Sequence, residues 1–159
     1  MSKTYDLKPA QGLTIIEIVV TLGIIAIMTS ILVAVFNPAG IFASSRNTQR
    51  RLHLQAILSA VRQNITENPT GIFNCAVGPV PTSSKRMASA SSSANYNIVS
   101  CLVPSYIDAL PFDPSASSAH YTSNSDYDTG YNILRNATTG QVTLTAPYAE
   151  LGVSVSSTR

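Results

Sequence analysis

The sequence predicts an α+β protein in which a long N-terminal helix, hydrophobic in its first half, packs on a small antiparallel β-sheet head. Three observations lead to this prediction: an apolar run over residues 13–36, helically spaced apolar residues after it, and strand-like alternation beyond residue 71. They divide the chain into four segments: residues 1–12, 13–36, 37–68 and 69–159.

The composition limits the class of protein. Charged residues are only 11% of the 159, against about 25% in ordinary soluble domains, and the formal net charge is +2. So small a charge gives no reason to expect nucleic acid as a dominant partner. Without the apolar segment the rest of the chain can bury only a modest core, which argues against a soluble two-domain enzyme.

The apolar run over residues 13–36 contains a single charge, Glu17. As a helix it would be about 36 Å long at about 1.5 Å per residue, enough to cross a bilayer. A signal peptide has a shorter apolar run of about 7 to 15 residues, and a buried helix would need a large core around it. We therefore expect a transmembrane helix.

The segment over residues 37–68 predicts an amphipathic helix. Asn37-Pro38-Ala39-Gly40 should interrupt or kink the chain before it, and Asn68-Pro69-Thr70-Gly71 should end it. The predicted apolar face consists of Leu54, Ile57, Leu58, Val61 and Ile65, and the predicted polar face of Arg50, Arg51, Gln55, Arg62 and Gln63. The apolar face should pack on the C-terminal region.

The segment over residues 69–159 predicts a β-rich head. We expect a strand over residues 98–103, a hairpin of residues 131–135 and 141–145, and a further strand over 148–155. The serine-rich stretch over residues 82–97 has too few apolar side chains to pack, so a solvated loop is expected there.

The two cysteines, Cys75 and Cys101, most economically form a disulfide, although two free buried thiols are the alternative. The histidines His53 and His120 are not at metal-ligand spacing to them, so a zinc site is not expected. No Gly-x-Ser-x-Gly context, phosphate-cradling glycine loop or Cys–His pairing is present, and the sequence predicts no enzyme.

An ionised carboxylate within the apolar zone, here Glu17, costs about 2.5 to 3.5 kcal/mol on insertion scales. Either Glu17 lies near the membrane surface, where its head reaches water, or a cation offsets that cost. The spacing Gly12-Leu13-Thr14-Ile15-Ile16-Glu17 followed by the apolar run resembles the type IV pilin and type II secretion pseudopilin family.

The resemblance implies that residues 1–12 are a leader, which a prepilin peptidase removes after Gly12 before methylating Leu13. Most members have Phe where this chain has Leu13. In the family the glutamate at the position of Glu17 pairs with the N-terminal amine of a neighbouring subunit in a filament. The implied partners are identical or related pilin subunits, the peptidase, the inner-membrane assembly platform and membrane lipid before assembly, with DNA only for a competence-type pilin.

The charges flanking the apolar run conflict with the orientation that the resemblance implies. Arg46, Arg50 and Arg51 follow the run and only Lys3 and Lys8 precede it, which alone favours a cytoplasmic C-terminal region. The leader motif requires the N-terminus inside, and the cysteines suit an oxidising exterior. We therefore expect a single-pass protein of the cytoplasmic membrane with an extracytoplasmic head that later joins a cell-surface filament.

We expect no cofactor, and calcium is the alternative hypothesis. Leu110-Pro111-Phe112-Asp113-Pro114 resembles an element of major pseudopilins, in which a nearby loop binds calcium, and Asp126 and Asp128 follow it. Closely spaced carboxylates supply the hard oxygen ligands that calcium takes, although such turns commonly bond their own backbone. The candidate metal ligands are therefore Asp113, Asp126 and Asp128.

Two classes of function are consistent with these features. One is a structural filament subunit, either a pilin or a pseudopilin of a secretion or DNA-uptake system. The other is a monomeric, single-span membrane-anchored binding protein in which Glu17 is merely interfacial.

Overall fold

The computed structural model of the chain describes residues 12–35, 37–89 and 93–159. The leader expected over residues 1–12 therefore lies outside the described residues, except for Gly12. The chain divides into two compact units, Met1–Ala39 and Gly40–Arg159.

Helix α1 spans Ile15–Val35 and contains no proline. Its stretch Ile15–Val33 is long and apolar enough to cross a membrane, and none of that stretch is buried within the chain. By length and composition alone, a signal sequence or the buried helix of a soluble protein would have the same character. The structure thus provides a candidate transmembrane helix, as the sequence predicts.

Helix α2 spans Pro38–Glu67. The interruption expected near residues 37–40 is found at Asn37, which belongs to neither helix, and Pro38 is the first residue of α2, where its missing N–H costs nothing. At the other end the chain turns through residues 68–71, with Gly71 in the left-handed region at φ +64°.

The apolar face predicted for α2 is its core face. Leu54, Ile57, Leu58 and Val61 are fully buried, and Ile65 packs against them at the edge. The prediction that Arg50 belongs to the polar face is wrong, because Arg50 is completely buried. The charge of Arg50 is neutralised inside the core, and the spacing of residues along a helix does not by itself indicate such a buried charge.

The head contains a mixed six-stranded sheet. Its strands are β1 Lys85–Ala88, β2 Asn95–Tyr96, β3 His120–Ser123, β4 Asp126–Arg135, β5 Val142–Ala146 and β6 Val155–Thr158, with a short helix, α3, at Val99–Leu102. The strand order is β2-β1-β4-β5-β6, and β3 pairs with the start of β4. The α+β class is confirmed, but the sheet is not wholly antiparallel, because β1 and β2 are parallel.

The predicted central hairpin is confirmed. Strands β4 and β5 pair in antiparallel register, with Ile133 opposite Leu144, and both side chains are fully buried. The connecting turn ends at Gly140, whose φ of +73° suits glycine. Alternating burial along β4 and β5 places the core between the sheet and α2.

The strand predicted over residues 98–103 is wrong. Val99–Leu102 forms α3, and the amides at its start are satisfied by a residue that is distant in the sequence: the N–H groups of Ile98 and Val99 donate to the Tyr127 hydroxyl at 3.1 and 3.4 Å. Short apolar runs that are buried on every side do not distinguish strand from helix by periodicity.

The solvated loop predicted over residues 82–97 is also wrong in part. This stretch contains β1 and β2, and Met87 and Tyr96 are buried. Pairing of β1 with the distant strand β4 supplies the order that local composition does not indicate. Residues 90–92 of the predicted loop lie outside the described residues.

The last predicted strand begins later than expected. Residues 147–154 connect β5 to β6, and only Val155–Thr158 is a strand. Leu151 and Gly152 have φ of +61° and +66°, a backbone conformation that a strand does not have.

Candidate functional site

The segment singled out by its sequence, residues 12–17, forms the start of α1. Thr14 caps the helix: its Oγ1 accepts a hydrogen bond from the Glu17 N–H at 3.3 Å, and its carbonyl accepts one from the Ile18 N–H at 3.2 Å. Thr14 and Glu17 have the Thr-x-x-Glu spacing of a capping box. Glu17 is therefore placed where a carboxylate is stabilised by the positive end of the helix dipole.

Gly12 and Leu13 precede the helix and are exposed to solvent. A Cβ added at Gly12 would meet nothing within 4 Å. The glycine is therefore not required by packing within the described part of the chain.

The remaining polar side chains of α1 are satisfied by the helix itself. The hydroxyls of Thr21, Thr29 and Ser30 donate to carbonyls three or four positions earlier, at 2.9, 2.5 and 2.7 Å. The Glu17 carboxylate is the one charge on this helix, and among the described residues no ion pair includes it. A cation that neutralises it in a water-poor environment would have to come from elsewhere.

A second group of charged residues lies inside the head. Arg50 of α2 and Asp113 form a bidentate ion pair, with Nε–Oδ2 at 2.8 Å and Nη2–Oδ1 at 3.0 Å, and both side chains are fully buried. Burial alone would raise the pKa of the Asp113 carboxyl, but the Arg50 guanidinium and the backbone amides of Ser115 and Ala116 outweigh it. The pKa of Asp113 is therefore lowered.

The same group fixes the connection between β5 and β6. The Glu150 carboxylate accepts hydrogen bonds from Arg46 at 2.6 and 2.7 Å and from Arg50 at 3.0 Å. The Asn47 side-chain amide donates a hydrogen bond to the Glu150 carbonyl at 2.8 Å, and its oxygen accepts one from the Glu150 N–H at 3.0 Å. Hydrogen bonding to Arg46 is the main reason that the pKa of Glu150 falls to about 2.

The three candidate calcium ligands are each bonded to a different basic side chain. Asp113 pairs with Arg50, Asp128 with Arg86 at 2.6 Å, and Asp126 with His120 at 3.1 Å. Within the described ranges no group of three or more His, Cys, Asp or Glu side chains is arranged to hold a metal ion. The calcium hypothesis therefore gains no support from this geometry.

Cys75 and Cys101 form a disulfide, with their Cα atoms 5.2 Å apart. Asn64 of α2 ties this region to the helix: its side-chain amide donates to the carbonyls of Asn74 and Cys101, and its oxygen accepts the Asn74 N–H at 2.8 Å. The disulfide thus lies at the junction of α2, the chain after it, and α3.

Sequence reasoning did not identify Asn47, Arg50 or Glu150 as partners in one network. The available signal was weak: Asn47 and Arg50 are three positions apart on α2, in register with Leu54 of the apolar face. Their acidic partners are more than 60 positions away in the sequence, and no local pattern connects them.

Comparison of the chain with models of known protein families gives no match, and neither do comparisons with characterised proteins and with solved structures.

Proposed function

We propose that the chain is a structural subunit of a type IV pilus-like filament. In this proposal a prepilin peptidase cleaves after Gly12, methylates Leu13, and leaves Glu17 as the fifth residue of the mature chain. The subunit then resides in the cytoplasmic membrane, with its head outside the cytoplasm, until it polymerises through α1.

One observation carries the proposal: Glu17 is the single charge on an otherwise apolar, unburied helix and follows Gly12 at the spacing of the processing motif. Within a filament core, the amine of a neighbouring Leu13 would supply the missing cation. The disulfide is consistent with a head in an oxidising compartment.

A pseudopilin of a type II secretion or DNA-uptake system is the variant that the stretch around Asp113 favours, since Leu-Pro-x-Asp-Pro resembles the element found in major pseudopilins. Here the Asp113 carboxylate is bonded to Arg50, so calcium is not needed to neutralise its charge.

Mass spectrometry tests the proposal against a monomeric membrane-anchored protein. The full chain is expressed with a prepilin peptidase, and the intact mass and N-terminal peptide are measured. We expect a mature chain that begins at N-methylated Leu13 and that is recovered in sheared filaments. A chain that keeps Met1–Gly12 in the presence of an active peptidase would exclude the filament subunit.

A further inference from the structure

The connection between β5 and β6, residues 147–154, presents large apolar side chains to solvent. Leu151 is 61% exposed, and Tyr148 and Val153 are also exposed. Leu151 has φ +61°, a conformation that few residues other than glycine adopt. Because this leucine is exposed, packing within the described part of the chain does not explain its conformation.

Two anchors hold this connection in place. The Tyr148 hydroxyl accepts a hydrogen bond from Arg86 at 3.2 Å, and the Arg86 guanidinium lies 5.6 Å from the centre of the tyrosine ring. Two positions further on, Glu150 is bonded to Arg46 through its carboxylate and to Asn47 through its backbone. The exposed Leu151 therefore follows directly after a fixed residue.

The start of α2 adds an exposed apolar side chain at the same end of the head. Phe42 lies one helical turn before Arg46, on the same face of α2, and is 63% exposed. Since Arg46 bonds to Glu150, Phe42 lies on the side of α2 that faces the residue before Leu151. We call Phe42, Leu151 and Val153 the apolar end patch.

Two features indicate what covers the apolar end patch. Phe42 follows the end of α1 by seven positions, so the chain cannot carry it more than about 25 Å from that end. Three side chains are also far fewer than the roughly 20 residues a side that a stable protein–protein interface uses. A lipid surface at the end of the spanning helix fits both features better than a second copy of the chain.

We propose that the apolar end patch inserts into the interfacial layer of the bilayer that α1 spans, and so gives the head a second membrane contact. Partitioning of exposed apolar side chains into the headgroup–acyl boundary is favourable and needs no deep insertion. The inference rests on the membrane anchoring of α1 in the proposed function.

The absence of tryptophan from the chain allows a direct test. Leu151→Trp and, separately, Val153→Trp are made in the full chain and reconstituted in two sets of phosphatidylcholine vesicles, with bromine atoms on the acyl chains either near the headgroups or near the bilayer centre. The first set quenches a shallow tryptophan, and the second quenches one at the middle of the span, where Ile24 lies. Ile72→Trp is the matched control, because Ile72 is 58% exposed but follows the opposite end of α2. Ile24→Trp, within α1, reports on membrane anchoring itself.

We expect Leu151→Trp and Val153→Trp to lose most of their fluorescence in the first set of vesicles and Ile24→Trp in the second, and Ile72→Trp to keep its fluorescence in both. Quenching of Ile24→Trp alone would overturn the inference and leave the anchoring intact. No quenching of Ile24→Trp would overturn the anchoring and the inference with it. A blue-shifted but unquenched Leu151→Trp whose shift grows with protein density would mean that a second copy covers the patch, which also overturns the inference.

Discussion

The guanidinium of Arg50 and the carboxylate of Asp113 form a bidentate ion pair that is completely removed from solvent and joins residues 63 positions apart. It connects the middle of α2 to the chain that precedes β3 and β4. Helix and sheet are thus held together by charge as well as by the apolar core.

Removing one partner of this pair should destabilise the head severely. Arg50→Ala leaves the Asp113 carboxylate buried without a cation, and Asp113→Ala leaves Glu150 as the remaining acidic partner of Arg50. We expect a loss of about 3–5 kcal/mol in the free energy of unfolding. Urea titration of a soluble fragment that begins at Gly40 measures this loss, and Arg51→Ala, a neighbouring exposed arginine, is the control. The double replacement Arg50→Met with Asp113→Leu should cost less than either single change, and a larger cost would contradict this account.

Low pH should lower the stability of the region around Arg50, Asp113 and Glu150. A carboxylate whose pKa is lowered by folding contributes stability above its unfolded pKa and loses that contribution as the pH falls through its folded pKa. The pKa of Glu150 falls from 4.5 to about 2, and that of Asp113 is also lowered. We therefore expect the melting temperature of the soluble fragment to fall as the pH is reduced from about 4.5 towards about 2.

Glu150→Gln should flatten this pH dependence, because it removes one of the two carboxyl groups of the network whose pKa is lowered. Glu67→Gln, which changes an exposed glutamate outside the network, is the matched control. Equal slopes for Glu150→Gln and the unmodified fragment would show that Glu150 does not contribute.

The sequence predicted those parts of the fold whose causes are local. The apolar run of α1, the core face of α2 and the β4–β5 hairpin each follow from periodicity within one short segment. The order of β1 comes from pairing with β4, 40 to 48 positions away, and β2 pairs in turn with β1. The burial of Arg50 comes from Asp113. Such long-range causes leave no periodic signal, which is why a loop and an exposed arginine were predicted there instead.

The disulfide should contribute measurably to the head, whose low charge and modest size leave little margin over chain entropy. Closing a loop between residues 26 positions apart restricts the unfolded chain by about 3 kcal/mol. Reduction should lower the melting temperature of the soluble fragment by on the order of 10 °C. Cys75→Ser with Cys101→Ser should have the same effect without reductant, and two reactive thiols in the unfolded, unreduced chain would refute the bond.

Cleavage by the peptidase should depend on Gly12, although packing within the described part of the chain does not require a glycine there. Gly12→Val places a bulky side chain next to the scissile bond, and we expect the full-length mass to persist when the peptidase is present. Gly23→Val is the matched control, since a Cβ at either glycine meets nothing within 4 Å. A mature mass for Gly12→Val equal to that of the unmodified chain would contradict the proposed cleavage site.

Glu17 has two separable roles, and a pair of substitutions distinguishes them. Glu17→Gln keeps a side chain suited to the capping box with Thr14 but removes the charge, whereas Thr14→Val removes the capping oxygen and keeps the charge. If the charge pairs with a neighbouring Leu13 amine, Glu17→Gln should be processed normally and yield few or no filaments. Thr14→Val should lose only about 1 kcal/mol of helix stability and still assemble. Intact mass and the yield of sheared filaments are measured for both variants. A normal filament yield from Glu17→Gln would mean that Glu17 serves only to cap the helix.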